Sequence, residues 1–333
     1  MNLVIPMAGM GKRMRPHTLT VPKPLLPIAG KSIVQRLAEN IDKATSEKLE
    51  EIAFVIGDFG KEVENNLLQI ATDLGAKGKI FYQDEPLGTA HAILCAEECL
   101  HGKVIVGFAD TLFKADFQID SEEEGIIWVH KVDDPRQFGV VEVDESGYIV
   151  ATHEKPKEFI SDLAIIGIYY AKDGEFLKSE LKYLIDNDLK ERGEYQLTNA
   201  LENMKNKGTK FLPGKVSEWL DCGNKDATVY TNQRILEHNK NERLVSENAR
   251  IENSQIIPPW YVGDNVSIKN SVIGPHVSIS RNSEISDSRI SNTIVMDNVK
   301  IENKVLTNSM IGSYAECRGN AEDLSLGSYS TQA

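Results

Sequence analysis

The hydrophobic positions of this chain follow two rhythms, one up to about residue 240 and another beyond it. In the first stretch, short apolar runs alternate with amphipathic segments. Leu3–Met7 is an apolar run that stops at Ala8-Gly9-Met10-Gly11. Ser32 then stands as an N-cap before Ile33, Val34, Leu37, Ala38 and Ile41, whose spacing predicts one face of a helix. Ile52–Gly57 reads as a buried strand, and Val63, Leu67, Leu68, Ala71 and Leu74 as a second helix face. Further strands are predicted at Ile80–Gln83, Val104–Phe108 and Ile126–His130, with a helix over Thr89–Leu100. Such alternation implies βαβ units, so the expected class is α/β, a Rossmann-like domain with a mixed, mainly parallel sheet. Ligands of such sheets sit at the carboxyl ends of the strands. From Phe138 the pattern turns β-rich (FGVVEVD, YIVATHE, AIIGIYY), which predicts an insertion or extension over one side of a site. Helices return at about Glu175–Asn187 and Gln196–Asn206.

The second rhythm follows a polar, helix-like stretch, Thr228–Asn241. Between Ile251 and Ile311 there are eighteen Ile or Val and one Leu, interleaved with Asn, Ser and Asp. β-Branched residues at that density favour strands. Apolar positions recur every six residues: Ile273, Ile279 and Ile285; Val299, Val305 and Ile311; Val262 and Ile268; Val266 and Val272. Glycine follows several of them (Gly263, Gly274, Gly312). A period of six predicts a hexapeptide-repeat, left-handed parallel β-helix, with the register slipping near Ser271 and Asn292. An ordinary β-sandwich is the alternative. The expected domains are 1–235, a helical linker 236–247, the repeats 248–320 and a tail 321–333.

Composition narrows the function. A chain of 333 residues with 41% hydrophobic and 26% charged residues is ordinary globular material. Lys+Arg 37 against Asp+Glu 50 gives a net charge of -13, which argues against bulk binding to nucleic acid or an anionic membrane. No apolar run approaches the roughly 20 residues of a membrane helix, and the amino end reverses the order of a secretory signal. Cys95, Cys99, Cys222 and Cys317 read as reduced thiols, so a soluble, cytoplasmic protein is expected. The charge is uneven, however. Met1–Ala38 holds no acidic residue but six basic ones, Lys12, Arg13, Arg15, Lys23, Lys31 and Arg36, which points to a local anion site.

The opening loop supplies that site's chemistry. A strand feeding AGMGKR presents backbone N–H groups that glycine leaves unobstructed, beside Lys12, Arg13 and Lys23, as a phosphate cradle requires. The dinucleotide fingerprint is broken by Met14, and Leu25 breaks the Walker pattern that Gly30-Lys31-Ser32 mimics.

The longer segment AGMGKRMRPHTLTVPKPLLPIAGK resembles the opening pattern of the sugar-1-phosphate nucleotidyltransferases. Gly9, Gly11, Arg13, Pro16, Thr18, Pro22, Lys23, Pro24, Pro27 and Lys31 match it, while Ala8 and Lys12 replace the usual Gly and Thr. Further segments match in order. Gln83 with PLGTAHAI, including Gly88, resembles the nucleobase-reading segment; Asp110 resembles a metal-binding aspartate, and Asp221 in WLDCGN the second. Gly139 in FGVVEVD, Glu154 and Lys155 in EKP, and Gly167 in AIIGIYY resemble the sugar-phosphate pocket. RGEYQLTNAL resembles another family segment, with Asn199 in place of Asp.

The resemblance implies transfer of a nucleotidyl group from an NTP to a sugar 1-phosphate with Mg²⁺ held by Asp110 and Asp221. Ala8, Gly9, Gly11, Gln83 and Gly88 would bind nucleotide, and Gly139, Glu154, Lys155 and Gly167 the sugar phosphate. Arg13, Lys23 and Lys155 would carry the catalytic charge. The attacking phosphate is already ionised, so no general base is required, and positioning and charge neutralisation do most of the catalysis. The pattern looks most like thymidylyl or uridylyl transfer to glucose 1-phosphate. Guanylyl transfer to mannose 1-phosphate, uridylyl transfer to an amino-sugar phosphate, and a non-catalytic regulatory subunit are the alternatives. His276 is the only histidine among the repeats, so they are expected to serve homo-oligomerisation rather than a second transfer reaction.

Overall fold

The apolar run that opens the chain becomes β1 (Asn2–Pro6), buried along its whole length. A strand covered on both faces must be continuously apolar, as parallel strands flanked by helices are. The computed structural model describes residues 1–114, 117–242, 244–320 and Ser325; most of the predicted tail 321–333 lies outside them. Two compact units result. One comprises Met1–Leu26 and Lys31–Ala227; the other comprises Pro27–Gly30 and the described residues from Thr228 onward.

In the first unit, β1 is followed by α1 (Ile33–Ala44), β2 (Glu51–Ile56), α2 (Lys61–Asp73), β3 (Lys77–Tyr82) and α3 (Thr89–Cys95). The Ser32 hydroxyl caps α1 by accepting from the Gln35 N–H at 3.2 Å, and the predicted apolar face of α1 is buried. The helix predicted over Thr89–Leu100 breaks after Cys95 and resumes as a 3₁₀ turn at Glu97–Cys99. Next come β4 (Val104–Gly107), β5 (Thr111–Phe113), β6 (Gly125–Lys131), β7 (Gly139–Val143), β8 (Ile149–Glu154) and β9 (Leu163–Ala171). Helices α4 (Gly174–Asp186) and α5 (Leu197–Asn206) precede β10 (Phe211–Lys215) and β11 (Trp219–Asp221).

Among the described residues the main sheet has nine strands. Seven run in the order β8-β7-β9-β4-β1-β2-β3, while β6 pairs with β9 and β10 with β6. The segment β4-β1-β2-β3 is parallel, and β9 joins it antiparallel. The β-rich stretch from Phe138 is therefore no separate insertion. Its strands extend the main sheet, because β9 is long enough to pair with β6 along one edge and with β4 and β7 in succession along the other.

Helix α6 (Lys225–His238) begins at the end of the first unit and continues into the second. The chain then winds through three short sheets in turn, every pairing parallel, the topology of a parallel β-helix. Ile268, Ile273, Ile279, Ile285 and Ile290 fill its interior. Corner residues carry the bends. Asn253, Asn270, Asp287 and Asn303 form one column, Asn265, Asn282 and Asn298 a second, and His276, Asn292 and Asn308 a third, all at positive φ. Asn and Asp tolerate that left-handed region because their short polar side chains bond locally. Here they also bond along the columns, Asn253 donating to Asn270 at 2.8 Å and Asn270 to Asp287 at 3.2 Å.

The strict six-residue period does not hold. Side-chain partners along the columns are separated by 17 residues in the early coils and 16 in the later ones, fewer than the roughly eighteen that three six-residue sides would take. The lost residue falls at Asn292, one of the two expected slips: Arg289 pairs 17 residues back to Val272, but Thr293 pairs 16 back to Val277. Coil length does not change at Ser271, where the serine ladder Ser254–Ser271–Ser288 continues through bonds of 3.0 and 3.1 Å. One consequence is that Val305, predicted inside by the six-step, is 79% exposed.

Candidate active site

Because β1, β2, β3 and β4 are parallel, their carboxyl ends share one edge of the sheet. A cavity of about 720 Å³ opens there. It is lined by Ala8, Gly9, Gly11 and Lys23 near the end of β1, by Gly57–Phe59 after β2, by Gln83 and Gly88 after β3, and by Phe108–Asp110 after β4.

The turn after β1 closes tightly on Lys23. Gly11 has φ 81°, and a Cβ there would lie 2.6 Å from Lys23 Cβ, so only glycine suits the position. The Thr18 hydroxyl donates to the Gly11 carbonyl at 2.8 Å. Lys23 starts a 3₁₀ turn, Lys23–Leu25, flanked by Pro22 and Pro24. Proline fixes φ, which aims the lysine with little conformational freedom. Its Nζ meets Asp110 Oδ2 at 2.7 Å, with the lysine side chain only 12% exposed.

Asp221 reaches Asp110 through strand pairing. β5 and β11 are antiparallel with Asp221 opposite Thr111, and the Cys222 N–H donates to the Asp110 carbonyl at 2.9 Å. Burial, then the negative charge of Asp110, raise the pKa of the Asp221 carboxyl; the Gly223 N–H, Lys23 and Arg13 act in the opposite sense. Arg13 joins the same point. A Cβ on Gly223 would meet the Asp221 carboxylate at 3.0 Å and the Arg13 guanidinium at 3.1 Å. Two carboxylates that repel each other, one of them lining the cavity, form a hard oxygen donor set suited to a divalent cation. Among the described residues no group of three or more His, Cys, Asp or Glu forms such a site, so a cation bound by this pair would need further oxygen ligands from elsewhere.

Across the cavity, Gly88 has φ 118°, and a Cβ would lie 2.4 Å from the Tyr195 carbonyl oxygen. The two segments are laced by Tyr195 N–H to Leu87 O and Ala90 N–H to Tyr195 O, both 2.9 Å. The Gln83 amide donates to the Gly88 carbonyl at 3.1 Å and lies 3.1 Å from His91 Nδ1, which fixes its direction.

Gly139, Glu154 and Lys155 form a second group, and neither they nor Gly167 line this cavity. A Cβ on Gly139 would lie 3.2 Å from Glu154 Oε2, and Lys155 Nζ is 3.3 Å from Glu154 Oε1. Lys155 has φ 45°, and its carbonyl accepts from the Arg192 guanidinium at 2.7 Å. Gly167, with φ 86°, accepts from the Phe108 N–H at 3.0 Å, just ahead of Asp110. Tyr169 connects the groups: burial, then the charges of Glu154 and Asp110, raise the pKa of its hydroxyl.

Sequence reasoning missed Gly57–Phe59 and Glu194, which also line the cavity. The first had a usable signal, since it follows a predicted strand at the end where ligands bind. Glu194 had none of its own; it arrives with Tyr195, through the bonds to Leu87 and Ala90.

Comparison with known proteins agrees on one family. Residues 3–238 match the family model described as nucleotidyl transferase. The low-salt glycan biosynthesis nucleotidyltransferase Agl11 of Haloferax volcanii is 29% identical, over 97% of this chain and 95% of that protein. A glucose-1-phosphate thymidylyltransferase of Streptomyces griseus is 26% identical, over 95% and 93%. The nucleoside-diphosphate-sugar pyrophosphorylase structure from Vibrio cholerae RC9 covers 69% of this chain and 99% of its own, with a TM-score of 0.60 and 20% identity, a likeness of fold.

Proposed function

The chain belongs to the nucleotidyl transferase family, and from that premise we propose that it is a sugar-1-phosphate nucleotidyltransferase using dTTP or UTP and glucose 1-phosphate. The carrying observation is the convergence of a glycine turn, Lys23 and Asp110 at one cavity on the carboxyl edge of the parallel strands, with Asp221 drawn beside Asp110 by the pairing of β5 with β11. The similarity to a glucose-1-phosphate thymidylyltransferase over nearly the whole chain supports the substrate pair.

In this reading the triphosphate lies over the turn Ala8–Gly11, whose backbone N–H groups donate to its oxygens while Lys23 and Arg13 balance its charge. Gln83 and Gly88 receive the base. Gly139, Glu154, Lys155 and Gly167 receive the sugar phosphate, with Lys155 on its phosphate. A phosphate oxygen of the sugar forms a bond to the α-phosphorus, the bond from that phosphorus to the bridging β-phosphate oxygen breaks, and pyrophosphate leaves; no proton needs to move. Asp110 and Asp221 would hold Mg²⁺, which supplies charge neutralisation at phosphate oxygens. Lys23 then exchanges its contact with Asp110 for one with the triphosphate. Residues 1–235 would suffice for this chemistry. We also read the C-terminal coil as left-handed and as the surface of a homo-oligomer, which light scattering of the full chain checks.

The test is pyrophosphate release with Mg²⁺ over dTTP, UTP, GTP, CTP and ATP crossed with a panel of sugar 1-phosphates. A preference for dTTP or UTP with glucose 1-phosphate is expected. No release from folded protein with any pair overturns the proposal.

A further inference from the structure

The turn between β2 and α2 has no part in the reaction as described, yet it faces the cavity through Gly57, Asp58 and Phe59. Strand order places it between the two ends of the proposed nucleotide site. β2 lies between β1, whose turn carries Gly9 and Gly11, and β3, after which comes Gln83. The ladder continues past the strands on both sides: the Met7 N–H donates to Val55 O at 2.7 Å, and the Gln83 N–H to Ile56 O at 2.9 Å. Phe59 follows three residues after Ile56. Its ring lies back over Gly57, where a Cβ would be 3.3 Å from Phe59 Cε1 and 3.2 Å from the Ala8 carbonyl oxygen. Glycine thus leaves no side chain between the ring and the phosphate turn. Phe59 is half-buried, and it lines the cavity. A ring gains by covering its remaining surface, and a flat aromatic ligand covers it well.

We infer that Phe59 is the aromatic wall of the nucleoside subsite, packing against the base between the triphosphate turn and Gln83. This rests on the reading of the cavity as an NTP site. Every base presents a π-face, so contact with a ring is tolerant of sequence and contributes to affinity without choosing among bases. Selection is left to the hydrogen bonds of Gln83. Phe59 is then a binding residue, and its loss changes affinity for all nucleotides alike.

The experiment measures equilibrium binding of UTP, dTTP, GTP, CTP, ATP and inorganic tripolyphosphate to the full chain and to Phe59→Ala, Phe59→Leu and Phe59→Trp. Phe59→Ala is expected to weaken every nucleotide by a common factor of about 5 to 100, leaving their ranking unchanged. Tripolyphosphate affinity stays within about twofold, because the phosphate turn is intact, and Phe59→Trp restores nucleotide binding. Phe59→Leu, which keeps apolar bulk but no π-face, falls between. Unchanged nucleotide affinity in Phe59→Ala overturns the inference. So does an equal loss of tripolyphosphate, which would make the ring a mere support for the turn. A parent chain that binds no NTP overturns the functional reading and this one with it; active parent enzyme with a neutral Phe59→Ala overturns this one alone.

Discussion

Asp110→Asn separates what the site does from what holds it together. The substitution keeps the shape and one acceptor oxygen but removes the charge that meets Lys23 at 2.7 Å. A hydrogen bond to a charged group contributes about 1.5–3 kcal/mol. Asp110 is 37% exposed, so solvent screening brings its share to roughly 1 kcal/mol. An opposing effect comes from Asp221, whose carboxyl is destabilised by burial and then by Asp110 itself. Removing the Asp110 charge relieves that repulsion and offsets part of the loss. The net change is expected to stay below about 1 kcal/mol, or less than about 4 °C in Tm for a domain of this size. Turnover should behave differently. On the proposed role, the variant loses charge neutralisation worth several kcal/mol at the reacting phosphates, so kcat falls by about 10³ or more. The assays are pyrophosphate release at saturating substrates, thermal unfolding without ligands, and Mn²⁺ titration of the free protein. Turnover within about tenfold of the parent would take Asp110 out of the cation site. A Tm loss beyond about 8 °C, with activity falling in proportion, would make it a structural residue instead.

Three further outcomes follow from the geometry. Gly88→Ala forces a Cβ to 2.4 Å from the Tyr195 carbonyl at φ 118°, so denaturant melts should show about 2–4 kcal/mol lost; under 1 kcal/mol would mean that the two segments part easily. At the β-helix corner Asn270, with φ 50°, alanine should cost about 1–2 kcal/mol and glycine markedly less, because glycine enters that region cheaply and alanine does not; equal losses in thermal melts would refute the backbone argument. Burial, then a bond to the Glu51 carboxylate, push the Cys99 thiol from an ordinary 9.0 up to about 12. The folded state therefore keeps a proton that the unfolded chain releases, so this contribution is intact below about pH 9 and declines as pH rises toward 12. Cys99→Ala should flatten the alkaline loss of stability, and an unchanged slope between pH 8 and 10.5 would sink the assignment.

The sequence by itself determined the two regimes of the chain, most of its helices and strands, and the glycine turn beside Lys23. These depend on burial periodicity and backbone preference, which act between residues a few positions apart. Ser32 caps α1 for such a local reason, and the Asn-rich corners of the coil tolerate positive φ for another. Tertiary structure alone decided which strand edges meet, and with them the site. Asp110 and Asp221 come together because β5 pairs with β11; Tyr195 stands over Gly88 because Leu87 and Ala90 bond to it. Phe59 reaches the same cavity as Gly11 and Gln83 because β2 is inserted between β1 and β3. Family resemblance could place the two aspartates in a common role, but their proximity is a property of pairing across the chain. The coil makes the same point from the opposite side. A six-residue rhythm predicts Val305 inside, whereas the length of each turn is set by parallel partners 16 or 17 residues away, and the valine points to solvent. Local pattern specifies which elements form, whereas register and strand order are fixed only when distant segments compete to bury the same apolar surface.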